Sequence, residues 1–168
     1  MASAGNGTVS HVAGELFKMM TGVDMVHVPY RSTPPALTDL IAGQVEVLFD
    51  NLSASTEHIK TGRVRALAVT TAVPVEALPG VPTVASFIPG FEASIWFGVG
   101  AAANPPSDII GRLNAEINAG LADPQVKARV ADLGATVLAG SSADFGRLIA
   151  NESEKWGKVV KFARIKAE

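Results

Sequence analysis

Apolar residues recur at helical spacing in Val12, Leu16, Met19 and Met20, so the pattern predicts a helix over roughly residues 9–21, ended by Gly22. The stretch DMVHVPY, from Asp24 to Tyr30, reads as a strand running into a turn. Pro34 and Pro35 then open a second helix with Leu37, Leu40 and Ile41 on one face and Gly43 as its stop. VEVLF at 45–49 is a compact apolar run of the kind that fills a buried strand, with Asp50 at its carboxyl end. SASTEHIKTG continues as a short helix closed by Gly62, and RALAVT at 65–70 returns to strand. This alternation marks α/β units around a mainly parallel sheet.

After Thr71 the pattern changes. Residues 72–92 carry Pro74, Pro79, Pro82 and Pro89 among short apolar pieces, which predicts a long ordered connection rather than a regular element. IWFGVGAAA, from Ile95 to Ala103, is strand-like. Pro105, Pro106 and Ser107 open a helix lined by Ile110, Leu113, Ile117 and Leu121, and Asp123 with Pro124 begins another that Gly134 ends. ATVLA reads as a short strand, and Ser141 with Asp144 resembles a capping box for a last helix reaching about Val160. The chain divides near residue 92 into an α/β first part and a helix-rich second part.

Composition narrows the function classes. Of 168 residues, 48% are hydrophobic and 18% charged, which argues for a packed chain and against disorder. A net charge of −2 leaves no electrostatic footprint for nucleic acid, so no nucleic-acid partner is expected. The absence of cysteine excludes thiol catalysis and disulfides. No run of about 20 apolar residues spans a membrane, and no basic segment followed by an apolar stretch encodes a signal peptide. A helix beginning so soon after Met1 reads as a chain that starts just where a preceding strand belongs.

Three histidines, His11, His27 and His58, lack metal-ligand spacing, so neither a metal nor another cofactor is expected. Ser10, His11 and Asp50 supply the residue types of a hydrolytic triad. Adjacent residues on a helix diverge by about 100°, however, and no G-x-S-x-G elbow is present, so the chain is not expected to be an enzyme. What remains is a set of polar turns, each before a helix: Gly5-Asn6-Gly7-Thr8-Val9-Ser10-His11, then Pro29-Tyr30-Arg31-Ser32-Thr33, then Asp50-Asn51-Leu52-Ser53. In an open α/β sheet all three lie outside the carboxyl ends of strands, where ligands bind. The first turn fits two roles, an ordinary helix cap or a cradle for an anion. Asp50 and Ser53 fit capping, Arg31 a solvated turn, and Tyr30 core packing with its hydroxyl satisfied.

The stretches GNGTVSHVAGELF, VDMVHVPYRSTPPALTDLIAGQVEVLFDNL, HIKTGRVRALAVTT, LPGVPTV, PGFEASIWFG and LNAEIN resemble the tripartite tricarboxylate transporter substrate-binding receptors, also called the Bug family, from Ser3 to Glu168. The resemblance implies a type II periplasmic-binding-protein fold whose two lobes close on a small mono- or dicarboxylate, a periplasmic location, and delivery of solute to membrane transport subunits. It implies that residues 3–92 are the second, ligand-binding lobe. Residues 93–168 are then a C-terminal segment returning to an incomplete first lobe, the family's earlier pass being absent from this sequence. On the family's pattern Gly5, Asn6, Gly7, Thr8, Ser10 and His11 form the carboxylate loop, Tyr30 lies beside it, and Asp50 is a rim acid suited to a ligand amine, hydroxyl or bridging water. Helices meant for a missing sheet would leave apolar surface open, from which a homo-oligomer is expected. Rival readings are an effector-sensing module, an assembly module that no longer supports transport and, behind these, a hydrolase using Ser10, His11 and Asp50.

Overall fold

The computed structural model describes residues 1–166. In chain order the elements are β1 (Ala2–Ser3), α1 (Val9–Thr21), β2 (Val28–Pro29), α2 (Thr33–Ile41), α3 (Leu52–Lys60), a 3₁₀ turn at Val84–Ser86, α4 (Ser107–Ala122), α5 (Pro124–Asp132) and α6 (Ser142–Ala163). They form two compact units. The first comprises Met1–Ile95 with the stretch from Trp156 onward, and the second Trp96–Lys155. The sequence pattern divides the chain at 92 and assigns everything after it to one segment, whereas the end of α6 groups with the first unit because Val159 and Trp156 pack into that unit's core.

In the first unit β1 is central. Ala2 and Ser3 pair in parallel with Val28 and Pro29, and Ala2 also forms a parallel bridge to Leu48. The chain thus runs from β1 through α1 to one neighbour, then through α2 to the neighbour on the other side. Side-chain alternation sorts the two faces. Met1 lies against Gly14 of α1, in the space a β-carbon there would need, and Ser3 bonds His27, whose ring stacks on His11 of α1. Ala2 joins Ala36, Val45, Tyr30, Leu40 and Leu48 beside α2. The α1 face buries Val12, Ala13 and Leu16 against Val84, Phe91, Ala93 and Val159, with Phe17 and Phe49 packed at its edge. Helix α1 ends as its sequence predicts, at Gly22 in the left-handed region, whose N–H bonds Lys18 O.

The strands are far shorter than the pattern predicts. Of Asp24–Tyr30 only Val28–Pro29 enters a ladder; 45–49 contributes a bridge at Leu48 and 65–70 a bridge from Val69 to Thr83. Ile95–Ala103 and 135–139 form no ladder among the described residues. A strand needs a neighbour offering donors and acceptors, and apolar alternation does not encode that neighbour. Conversely, the strand expected to be missing before the first helix exists in brief at Ala2–Ser3.

The second unit is held by local devices. Asp123 accepts from the Gln125 and Val126 amides at the start of α5, and Ser141 and Asp144 exchange backbone-to-side-chain bonds at the start of α6, as the sequence predicts. Trp96 meets Phe145 edge-on at 5.5 Å. Asn114 and Asn118 both donate to Gly140 O at 2.9 Å. No described residue from 96 to 155 is buried.

Candidate functional site

Strand order brings the three polar turns side by side. The turns after β1, β2 and Leu48 leave the same end of adjacent parallel segments. The chain after β1 goes to α1 on one face, whereas the chain after Leu48 goes to α3, which packs with α2 of the other face. Connections leaving neighbouring strands toward opposite faces open a crevice between them, the place where α/β sheets take ligands. Residues 5–11 follow β1, and Asp50-Asn51-Leu52 follows the segment bridged at Leu48.

The loop is tied back on itself. Gly5 and Gly7 adopt φ of 134° and 70°, a backbone that side chains with a β-carbon resist. Thr8 is the N-cap of α1 by position, yet its hydroxyl does not cap. Thr8 Oγ1 donates to Gly5 O at 2.7 Å, and Ser10 Oγ accepts from the Ala4 amide at 2.8 Å. The capping role is therefore not the one these hydroxyls play. The helix geometry leaves the N–H groups of Val9, Ser10 and His11 without intrahelical acceptors at the positive end of α1.

His11 is buried, and its Nδ1 accepts from the Gly7 amide at 3.1 Å. Its ring stacks on His27 at 3.7 Å, and His27 Nε2 lies 2.6 Å from Ser3 Oγ. Buried Glu15 lies 3.8 Å from His11 Nε2 and pairs with Lys18 at 3.0 Å. Burial lowers the pKa of His11, against the pull of Glu15 and with a further push from Lys18. Burial, reinforced by His11, lowers that of His27 to about 4. Both rings are neutral at neutral pH. An open cleft of about 840 Å³ borders the pair, with Asn6, Lys18, Phe162 and Arg164 among its lining residues.

Tyr30 joins the loop through its backbone: its N–H bonds Ser3 O at 3.0 Å, and its carbonyl lies close over Gly5. Its hydroxyl turns away and donates to Asp39 at 2.7 Å, which raises the phenol pKa. Asp50 is half-buried and accepts from Ser55 in the helix that follows it, α3. It does not cap α3, whose N-cap is Asn51 with no side-chain bond. Arg31 is exposed. Ser10, His11 and Asp50 form no relay, since each is bonded to a different partner. Among the described residues no three His, Cys, Asp or Glu side chains gather as a metal site, and no helix is long and apolar enough to cross a membrane. The pattern misses Ser3, Glu15 and His27 as supports of the loop. A histidine preceding a strand and a serine near the N-terminus carry no local mark of their pairing.

Known proteins sharpen this geometry. Residues 1–165 match the family model described as tripartite tricarboxylate transporter family receptor. The UPF0065 protein in the clcB-clcD intergenic region of Pseudomonas knackmussii is 40% identical over 164 residues, covering 96% of this chain and 97% of that one. Among solved structures, Rpa4515 of R. palustris with adipate is 39% identical with a TM-score of 0.80, over 95% of this chain and 54% of that one. MatC of Rhodopseudomonas palustris with bound malate is 29% identical with a TM-score of 0.73, over 95% of this chain and 56% of that one. Beyond the Pseudomonas knackmussii protein, the chain spans about half the length of the curated relatives it matches. The mixed α/β fold with its parallel β1–β2 pair is that of periplasmic binding proteins of this kind. With the match running over nearly its whole length, the chain belongs to the tripartite tricarboxylate transporter receptor family.

Proposed function

We propose that this chain is a periplasmic receptor component that takes a small mono- or dicarboxylate at the loop between β1 and α1, does no chemistry on it, and serves membrane transport subunits. The observation that carries the reading is the state of the loop's donors. Thr8 and Ser10 hydroxyls are occupied within the loop, while the first amides of α1 lack helical acceptors at the end of the helix that this loop leads into. A carboxylate satisfies such amides and the helix dipole together. Adipate and malate, the acids of the two R. palustris structures, are both dicarboxylates, which supports that ligand class. Asp50, in the turn after Leu48, suits a ligand hydroxyl, amine or a bridging water rather than a carboxylate. The test is calorimetric titration of adipate and malate. Gly7→Val places a branched side chain at φ of 70° and abolishes binding. Thr8→Ala removes one loop bond and weakens binding by about 0.5–1.5 kcal/mol. Equal affinity in wild type and Gly7→Val removes the loop from the site.

A second reading concerns assembly and rests on the lack of any buried residue from 96 to 155, where Phe97, Val99 and Leu138 are exposed. Exposed apolar surface costs about 25 cal/mol per Å², which favours covering it with a second copy of the chain. Light scattering over a concentration series decides this: a monomer at all concentrations ends the homo-oligomer reading.

A further inference from the structure

His11 and His27 lie face to face, with ring planes within 8° of parallel. Each ring is tied to one of the two glycines that flank Asn6. His11 takes the Gly7 amide directly on Nδ1 at 3.1 Å. His27 reaches Gly5 through Ser3, whose hydroxyl oxygen is 2.6 Å from His27 Nε2 and accepts from the Gly5 amide at 3.2 Å. A ring nitrogen that accepts carries no proton, so the Gly7 bond requires the His11 proton on Nε2, the side where Glu15 lies. Protonation of His11 turns that acceptor into a donor and sets two N–H groups against each other.

We propose that the stacked His11–His27 pair is a positioning clamp for the carboxylate loop, holding Gly5 and Gly7 in the backbone that aims the α1 amides, and that it holds only while His11 is neutral. The clamp's role in binding rests on the reading of residues 5–11 as the carboxylate loop. The charged groups facing the pair are Glu15 and Lys18 from α1 and the Met1 ammonium beside β1, with Arg164 and Lys166 lining the same cleft from the stretch after α6. Burial outweighs the pull of Glu15 and keeps both rings neutral near neutral pH.

Two substitutions on the full chain separate clamp from scaffold. His11→Phe keeps a flat ring over His27 but offers no acceptor. His11→Gln offers an amide oxygen that does not titrate. Without ligand, ring ¹⁵N NMR should give His11 Nδ1 as the unprotonated nitrogen at neutral pH, and the Gly7 amide should exchange about tenfold more slowly than in His11→Phe. On acidification wild type should lose this protection as Nδ1 takes a proton, while His11→Gln keeps it. Adipate should bind about tenfold more weakly to His11→Phe, and the ratio of wild-type to His11→Gln affinity should fall with pH, the variant accounting for the ligand's own protonation. A protonated Nδ1 at neutral pH, or equal Gly7 exchange in wild type and His11→Phe, overturns the clamp. A protected Gly7 in a wild type that binds no adipate overturns the carboxylate reading and leaves the clamp standing.

Discussion

Residues 1–95 and residues 96–155 solve the folding problem in different ways. The first stretch surrounds two apolar clusters, with Ala2, Ala36 and Phe91 almost wholly removed from water. The second relies on side chains that cap helix starts and on asparagines that grip one carbonyl, with no residue buried. A buried core over-determines the backbone around it, which is what a loop holding two positive-φ glycines requires. Caps and exposed pairs determine helix boundaries but fix little beyond the turn they close. The candidate ligand loop accordingly lies in the region with the core.

The sharpest way to break this comparison is to remove one phenylalanine from each region. Phe91 is 1% exposed and Phe97 is 94% exposed. Phe91→Ala should cost about 3–5 kcal/mol in urea denaturation, whereas Phe97→Ala should stay within about 0.5 kcal/mol. Similar losses would mean that the second region is covered in solution.

Acid provides the next contrast, since all three histidines lie in the first region. His27 drops from 6.5 to about 4 in the folded chain, so between those values the unfolded chain binds more protons and stability rises with pH. The contribution is complete above pH 6.5 and is lost progressively as pH falls toward 4, with His11 acting in the same direction. Thermal melts across this window should show Tm falling with pH by more in wild type than in His27→Phe. Parallel curves would remove the histidine pair as the cause.

The smallest effect belongs to the second region. Asp123→Ala frees the Gln125 and Val126 amides and should cost about 1 kcal/mol, read as faster amide exchange confined to the first turn of α5. Exchange that quickens also in α1 would show that the two regions share stability.

The helices were legible because their signals are local. Gly22, Pro34, Asp123, Pro124 and the Ser141–Asp144 pair each act within one turn of the residue that bears them, and each stands where the pattern predicts. The glycines of the loop were legible for the same reason, since positive φ is a property of a single residue. The strands were not. Apolar alternation at 24–30, 45–49 and 65–70 marks extended chain, but only a neighbour at the right distance turns it into a ladder, and that neighbour is remote in sequence.

The site divides along the same line. By itself the sequence determined that residues 5–11 are a flexible-backbone, hydroxyl-rich helix start and that 29–33 and 50–53 are polar turns, because composition and spacing encode these directly. Only the tertiary structure decided what the side chains do. It turned the Thr8 and Ser10 hydroxyls inward, handed the Asp50 carboxylate to Ser55 and the Tyr30 hydroxyl to Asp39, and stacked His27 on His11 behind the loop. Each of those outcomes is a choice among competing partners. Thr8, Ser10, Asp50 and Tyr30 each find a partner within nine residues, so a short window contains the pair but not the choice among its rivals, whereas His27 reaches His11 because β2 lies beside β1, a pairing no short window encodes.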